Sequence, residues 1–131
     1  MSEQRRADAR RMAELAAAAR AGEAQAAQVI IDAFVADAAA RGLAPVPLLA
    51  TQVDGRRVRS DQTGWYVNRA QTLGIATDGS WYVLVVPNSL LGRVRGVKLA
   101  ASPPDLVVNR GGRDGESGDL RDFLARVLEG E

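Results

Sequence analysis

The chain has 131 residues, 47% of them apolar and 25% charged, with a formal net charge of +1. This length and composition belong to one globular domain with a real core and exclude an intrinsically disordered chain. Cysteine and histidine are both absent, which excludes disulfides, thiolate catalysis and Cys-ligated metals and removes the commonest general base.

In chain order, Arg5 to Arg41 predicts a helix: Ala, Glu, Gln, Arg and Leu dominate, proline is missing, and Gly42 with Pro45 marks the stop. Unbroken, such a helix would be roughly 55 Å long at 1.5 Å per residue. That outreaches a body of this size, so it either breaks near Gly22 or projects as an arm over residues 1–22 from a compact body of 23–131. Val29 to Val35 is apolar nearly all round, which predicts burial of this half against a sheet, with its other side covered either by the C-terminal helix or by a second copy. Met12, Leu15 and Ala19 form a thin stripe on the first half, a candidate oligomer interface.

Two Asp-Gly dipeptides between β-type runs then predict hairpins, Asp54-Gly55 and Asp78-Gly79. A two-residue type I′ loop at the second pairs Ala76 with Trp81 and Ile75 with Tyr82. A four-residue loop before it pairs Tyr66 with Ile75, giving rows Trp65–Ala76–Trp81 and Tyr66–Ile75–Tyr82. Both faces are then apolar and both need cover, with Gly74 and Ala76 as a trough for a helix. Arg56, Arg57 and Arg59 place the first hairpin's return strand at a sheet edge. Gly92 falls in an exposed turn, and Arg93 to Ala100 predicts a further strand with Gly96 as a bulge. Leu106-Val107-Val108 predicts a short buried strand. Leu120, Phe123, Leu124, Val127 and Leu128 recur at helical spacing, an amphipathic helix capped by Ser117 or Asp119 that is expected to cover the sheet's other face. The fold class expected is α+β in a single domain, 1–131: a long N-terminal helix, an antiparallel meander of about five strands and a C-terminal helix.

The pattern Thr63-Gly64-Trp65-Tyr66, Gly74 to Gly79 with Tyr82-Val83-Leu84, Pro104 to Val108 and Arg110 to Ser117 resembles a set of small uncharacterised actinobacterial proteins. The resemblance spans about the last seventy residues. It implies a shared fold and a loop of shared type, and brings no activity with it.

Candidate chemistry is sparse. Arg110, Gly111, Gly112, Arg113 and Ser117, in a glycine-rich loop over 109–118 that leads into a helix, could cradle an anion or phosphate. The loop lacks the Gly-Lys-Ser/Thr of a nucleotide-binding loop. The bland alternative is a structural turn with its arginines paired to Asp114 and Glu116. Residues 46–113 carry a net of +5 and residues 114–131 a net of −4. A platform of Trp65, Tyr66, Trp81 and Tyr82 beside Arg56, Arg57 and Arg59 could stack bases, but sheet aromatics belong in a core, so nucleic acid is disfavoured. No nucleophile–base pair can be read, so the sequence leans against an enzyme, with catalysis of an unrecognised type ranking third. No cofactor and no metal are implied. No apolar run approaches the 18 or so residues of a membrane span, and the charged start does not suit a signal peptide. The expectation is therefore a cytoplasmic, non-enzymatic interaction or adaptor domain, a homodimer that also serves an unknown protein partner. Anion binding at the glycine-rich loop is the rival.

Overall fold

The structure, a computed structural model, describes residues 2–108 and 117–130. Helix α1 spans Glu3–Ala40 without a break at Gly22, whose α-carbon has open space where a side chain would stand. Ser2 caps its start, the hydroxyl accepting from the Arg5 N–H at 3.2 Å. At the other end Gly42 adopts φ +70°. Its N–H bonds the Ala39 carbonyl while the Leu43 N–H bonds that of Ala38, a paired closure that satisfies carbonyls of the last turn. The helix therefore stops where the sequence says, and just beyond it the Leu43 carbonyl receives the Trp65 indole N–H at 3.2 Å.

Five strands follow: β1 Val46–Gln52, β2 Arg57–Tyr66, β3 Leu73–Ala76, β4 Trp81–Val83 and β5 Val85–Val86. They form one sheet in the order β4-β3-β2-β1-β5, antiparallel except for the β1–β5 pair. The two edges, β4 and β5, are consecutive in the chain, with Leu84 alone between them. Leu84 donates its N–H to the Thr72 carbonyl at the β3 side and accepts from the Thr51 N–H of β1 at 2.7 Å. The sheet thus closes on itself as a small barrel, which removes its open edges.

The register differs by one residue from that expected. The pairs are Trp65 with Ile75, Ile75 with Trp81, and Tyr66 with Gly74, Gly74 with Tyr82. The cause is the turn. Ala76 and Ser80 close a three-residue loop, with the Gly79 N–H on the Ala76 carbonyl and the Ala76 N–H on that of Ser80. Only Gly79 sits at positive φ, +88°. A type I′ turn would demand positive φ of Asp78 as well, and this loop avoids it. The Asp54-Gly55 hairpin repeats the arrangement, with Gly55 at φ +89°. Between β2 and β3 the loop has five residues, tied by Asn68, whose side chain accepts from the Thr72 and Leu73 amides and donates to the Thr72 hydroxyl.

One residue of slip exchanges the faces. Tyr66, Gly74, Ala76 and Tyr82 point into the barrel with Leu48, Ala50, Val58 and Leu84. Trp65, Val67, Ile75 and Trp81 point out and meet Ala27, Ile31, Phe34 and Ala38 of α1, with Phe34 edge-on to Trp65 at 5.5 Å. Each such apolar side chain contributes about 1.5–3 kcal/mol, an upper figure. The trough at Gly74 is therefore filled from inside: a Cβ there would stand 3.1 Å from Leu48 and 3.2 Å from Leu84. Inner Gly64 is tighter still, since its Cβ would lie 1.8 Å from the Ile75 carbonyl oxygen.

Three further expectations are corrected. The Arg57–Arg59 strand is central, not an edge. Arg57 and Arg59 face solvent from the outer wall while Val58 points inward. Arg93 to Ala100 is not a strand. Helix α2, Leu90–Arg95, starts at Ser89 and ends at Gly96, φ +83°. Gly92 lies buried there, with Val97 2.8 Å from where its Cβ would be, so it is no exposed turn. Two short strands, β6 Val107–Val108 and β7 Gly118–Asp119, pair with each other, and α3 Leu120–Leu128 follows. Leu120, Phe123 and Leu124 are buried as the spacing predicts, but they join the α1 side of the sheet. Both terminal helices cover one outer patch because the interior is filled by the strands' own side chains together with Leu99 and Val97.

Candidate functional site

Because α1 docks through one side only, its opposite side is laid bare. Ala27, Ile31, Phe34 and Ala38 touch the body, and residues 2–22 are all exposed. The exposed half extends roughly 30 Å at 1.5 Å per residue. It carries Met12 at 66% and Leu15 at 60% exposure, with Ala19 exposed one turn on. The three candidate interface residues thus share one open face.

That face continues past the arm. Val29, placed by its sequence inside an all-round buried segment, is 70% exposed. Counting in sevens from Met12 gives Ala19, Ala26 and Ala33, and from Leu15 gives Gly22, Val29 and Ala36, every one of them exposed. This is a two-in-seven seam, the spacing by which one helix meets another. Sequence reasoning missed Gly22, Ala26 and Val29. The signal was their seven-residue spacing from Met12 and Leu15, hidden because alanine is so frequent that the stripe hardly contrasts with its flanks. Charged residues flank it, Arg11 before Met12 and Asp32 after Val29. Gln28 ties the helix to the second hairpin: its amide donates to the Gly79 carbonyl and to the Asp32 carboxylate, both at 2.9 Å.

Of the glycine-rich loop, Arg110, Gly111, Gly112 and Arg113 lie outside the described residues. Ser117 is exposed just before β7. Asp119 holds the cap position of α3, although its side chain makes no cap hydrogen bond. A cavity of about 490 Å³ adjoins this region, lined by Trp81, Pro103, Asp105 and Val108 among others. Its ionisable lining group among the described residues is a carboxylate, the wrong sign for an anion.

The aromatic platform is not assembled. Trp65, Trp81 and Tyr82 are buried, and the Tyr66 hydroxyl accepts from the Leu49 N–H at 2.9 Å. Arg93 is structural too: it bridges to Asp54 and donates to the buried Gln52 side chain, locking the first Asp-Gly turn onto α2. Asp78 is held below its ordinary pKa of 3.8 because its carboxylate accepts the Ser80 N–H, at 2.9 Å. That shift stabilises a turn and marks no reactive group. Among the described residues no group of three or more carboxylates gathers where a metal could sit, and no helix is long and apolar enough to cross a membrane.

Compared with known proteins, the chain matches no family model, no curated protein and no solved structure.

Proposed function

We propose that this protein is a small non-enzymatic interaction domain of the cytoplasm that self-associates through the outward face of α1, with the barrel as the body that the helix carries. One observation supports the reading above others: a continuous helix whose residues 3–22 are all exposed and place Met12 and Leu15 on one open side. The docked half nucleates the helix and alanine-rich propensity carries it on, but an apolar stripe held out from the body gains only when covered. Symmetric pairing is the commonest way to cover it.

The test is mass by light scattering at tens of micromolar. The wild type is expected to be a dimer and Leu15→Glu a folded monomer. Charge at Ile31, which is fully buried against the sheet, should unfold the chain. Ile30, only half-buried beside α3, is a weaker control. A monomeric wild type would remove the reading.

A further inference from the structure

We infer that two copies pair antiparallel along α1, with Met12 of each over Val29 of the other. This rests on the self-association proposed above and names its geometry and partner, a second copy of this chain.

In an antiparallel pair the two series of seam positions face one another. Taking Met12, Ala19 and Ala26 against Val29, Gly22 and Leu15 of the second copy gives a single register for all three layers. Met12 meets Val29, Ala19 meets Gly22, and Ala26 meets Leu15. The two-fold axis then passes between Arg20 and Ala21. Large apolar side chains lie over small or β-branched ones in the outer layers, and the smallest residues meet at the centre, where the backbones come closest. Gly22 otherwise lacks a reason: in an exposed helix it costs about 1 kcal/mol relative to alanine, and nothing in its own chain approaches it. A central close approach supplies one.

The charges agree with the same register. In this arrangement Arg11 falls beside Asp32 of the second copy, and the axis repeats the pair, so the surface is complementary to itself. In a parallel in-register pair the same residues would stand far apart along the helix. The body holds α1 through Ala27, Ile31, Phe34 and Ala38, away from the seam, and flanks it only toward its C-terminal end, α3 at Ile30 and Ala33 and the second hairpin at Gln28. In this register the facing layers run from Met12 to Val29, about two and a half heptads on each helix, and a stable interface needs about 1,000 Å² of total burial. The two barrels are then carried at opposite ends of a paired rod.

The absence of native cysteine makes the register directly readable. Met12→Cys and Val29→Cys, both at exposed positions, are prepared separately and mixed under mild oxidation. The expected result is a disulfide-linked dimer in the mixture and little with either variant alone. Cross-linking of Met12→Cys with itself would show a parallel pair, overturning this geometry while leaving self-association intact. A dimeric wild type with no cross-link in any combination would place the interface elsewhere and overturn both the geometry and the role of α1. A monomeric wild type would overturn the proposed function and this inference together. As a second reading, Arg11→Glu and Asp32→Arg should each weaken dimerisation by about tenfold, the scale of two exposed ion pairs. The double variant should recover it, and failure to recover would count against the register.

Discussion

The two halves of α1 are made of nearly the same residues and live in different circumstances. From Ala27 to Ala38 the helix is held by a buried stripe against Trp65, Ile75 and Trp81. From Glu3 to Gly22 every residue is exposed. The first half nevertheless remains the same helix. Nucleation is the costly step in helix formation and extension is cheap, so the docked half supplies the nucleus while alanine-rich propensity and the Ser2 cap carry the rest. Packing therefore decides where a helix is stable, and composition decides how far it runs on from there.

The comparison breaks most violently in the docked region. Gly64→Val should abolish folding, because a Cβ would collide with the Ile75 carbonyl. Circular dichroism showing a native barrel would mean that the crossing of β2 over β3 is wrong. Next in size, Phe34→Ala should cost about 3–5 kcal/mol in denaturant unfolding. Met12→Ala, on the arm, should leave the body's own unfolding unchanged and act only through dimerisation. Equal losses would show that the arm is packed against the body after all. Smaller still, Ser2→Ala should fray the arm by about 1 kcal/mol, seen as faster amide exchange over the first turns with no change beyond Ala27. The smallest effect is acid dependence at the second hairpin, against which α1 docks through Gln28. The Asp78 pKa is lowered by the Ser80 N–H, so its stabilisation is present above the ordinary 3.8 and is lost as pH falls through the folded value. The wild type's advantage over Asp78→Ala in melting temperature should therefore shrink below pH 3.8. An advantage that persists in acid would mean the turn is not held by that carboxylate.

A second pair of regions shows where local signals stop. Asp54-Gly55 and Asp78-Gly79 both announce hairpins, and both make them. Neither dipeptide says whether its loop has two residues or three. Here the left-handed conformation is confined to the glycine, and that single extra loop residue moves Ile75 from the Tyr82 row to the Trp81 row. The arginine strand was misplaced for a related reason. Outward charge on a barrel wall has the same alternation as charge on a sheet edge, and only closure distinguishes them.

Helix boundaries, the α3 stripe and the presence of the hairpins are local matters. Caps at Ser2 and Gly42, the spacing from Leu120 to Leu128, and two Asp-Gly turns each involve residues within a few positions of one another, so the sequence by itself determined them. The joining of β4 and β5 through Leu84 to both Thr72 and Thr51 was decided only by the tertiary structure. So was the placing of α1 and α3 on one outer patch, and with it the bare seam from Met12 to Ala36. Those outcomes depend on contacts between residues far apart in the chain, and on which face a strand shows once its register is set. An alternating pattern leaves that face undetermined by one residue.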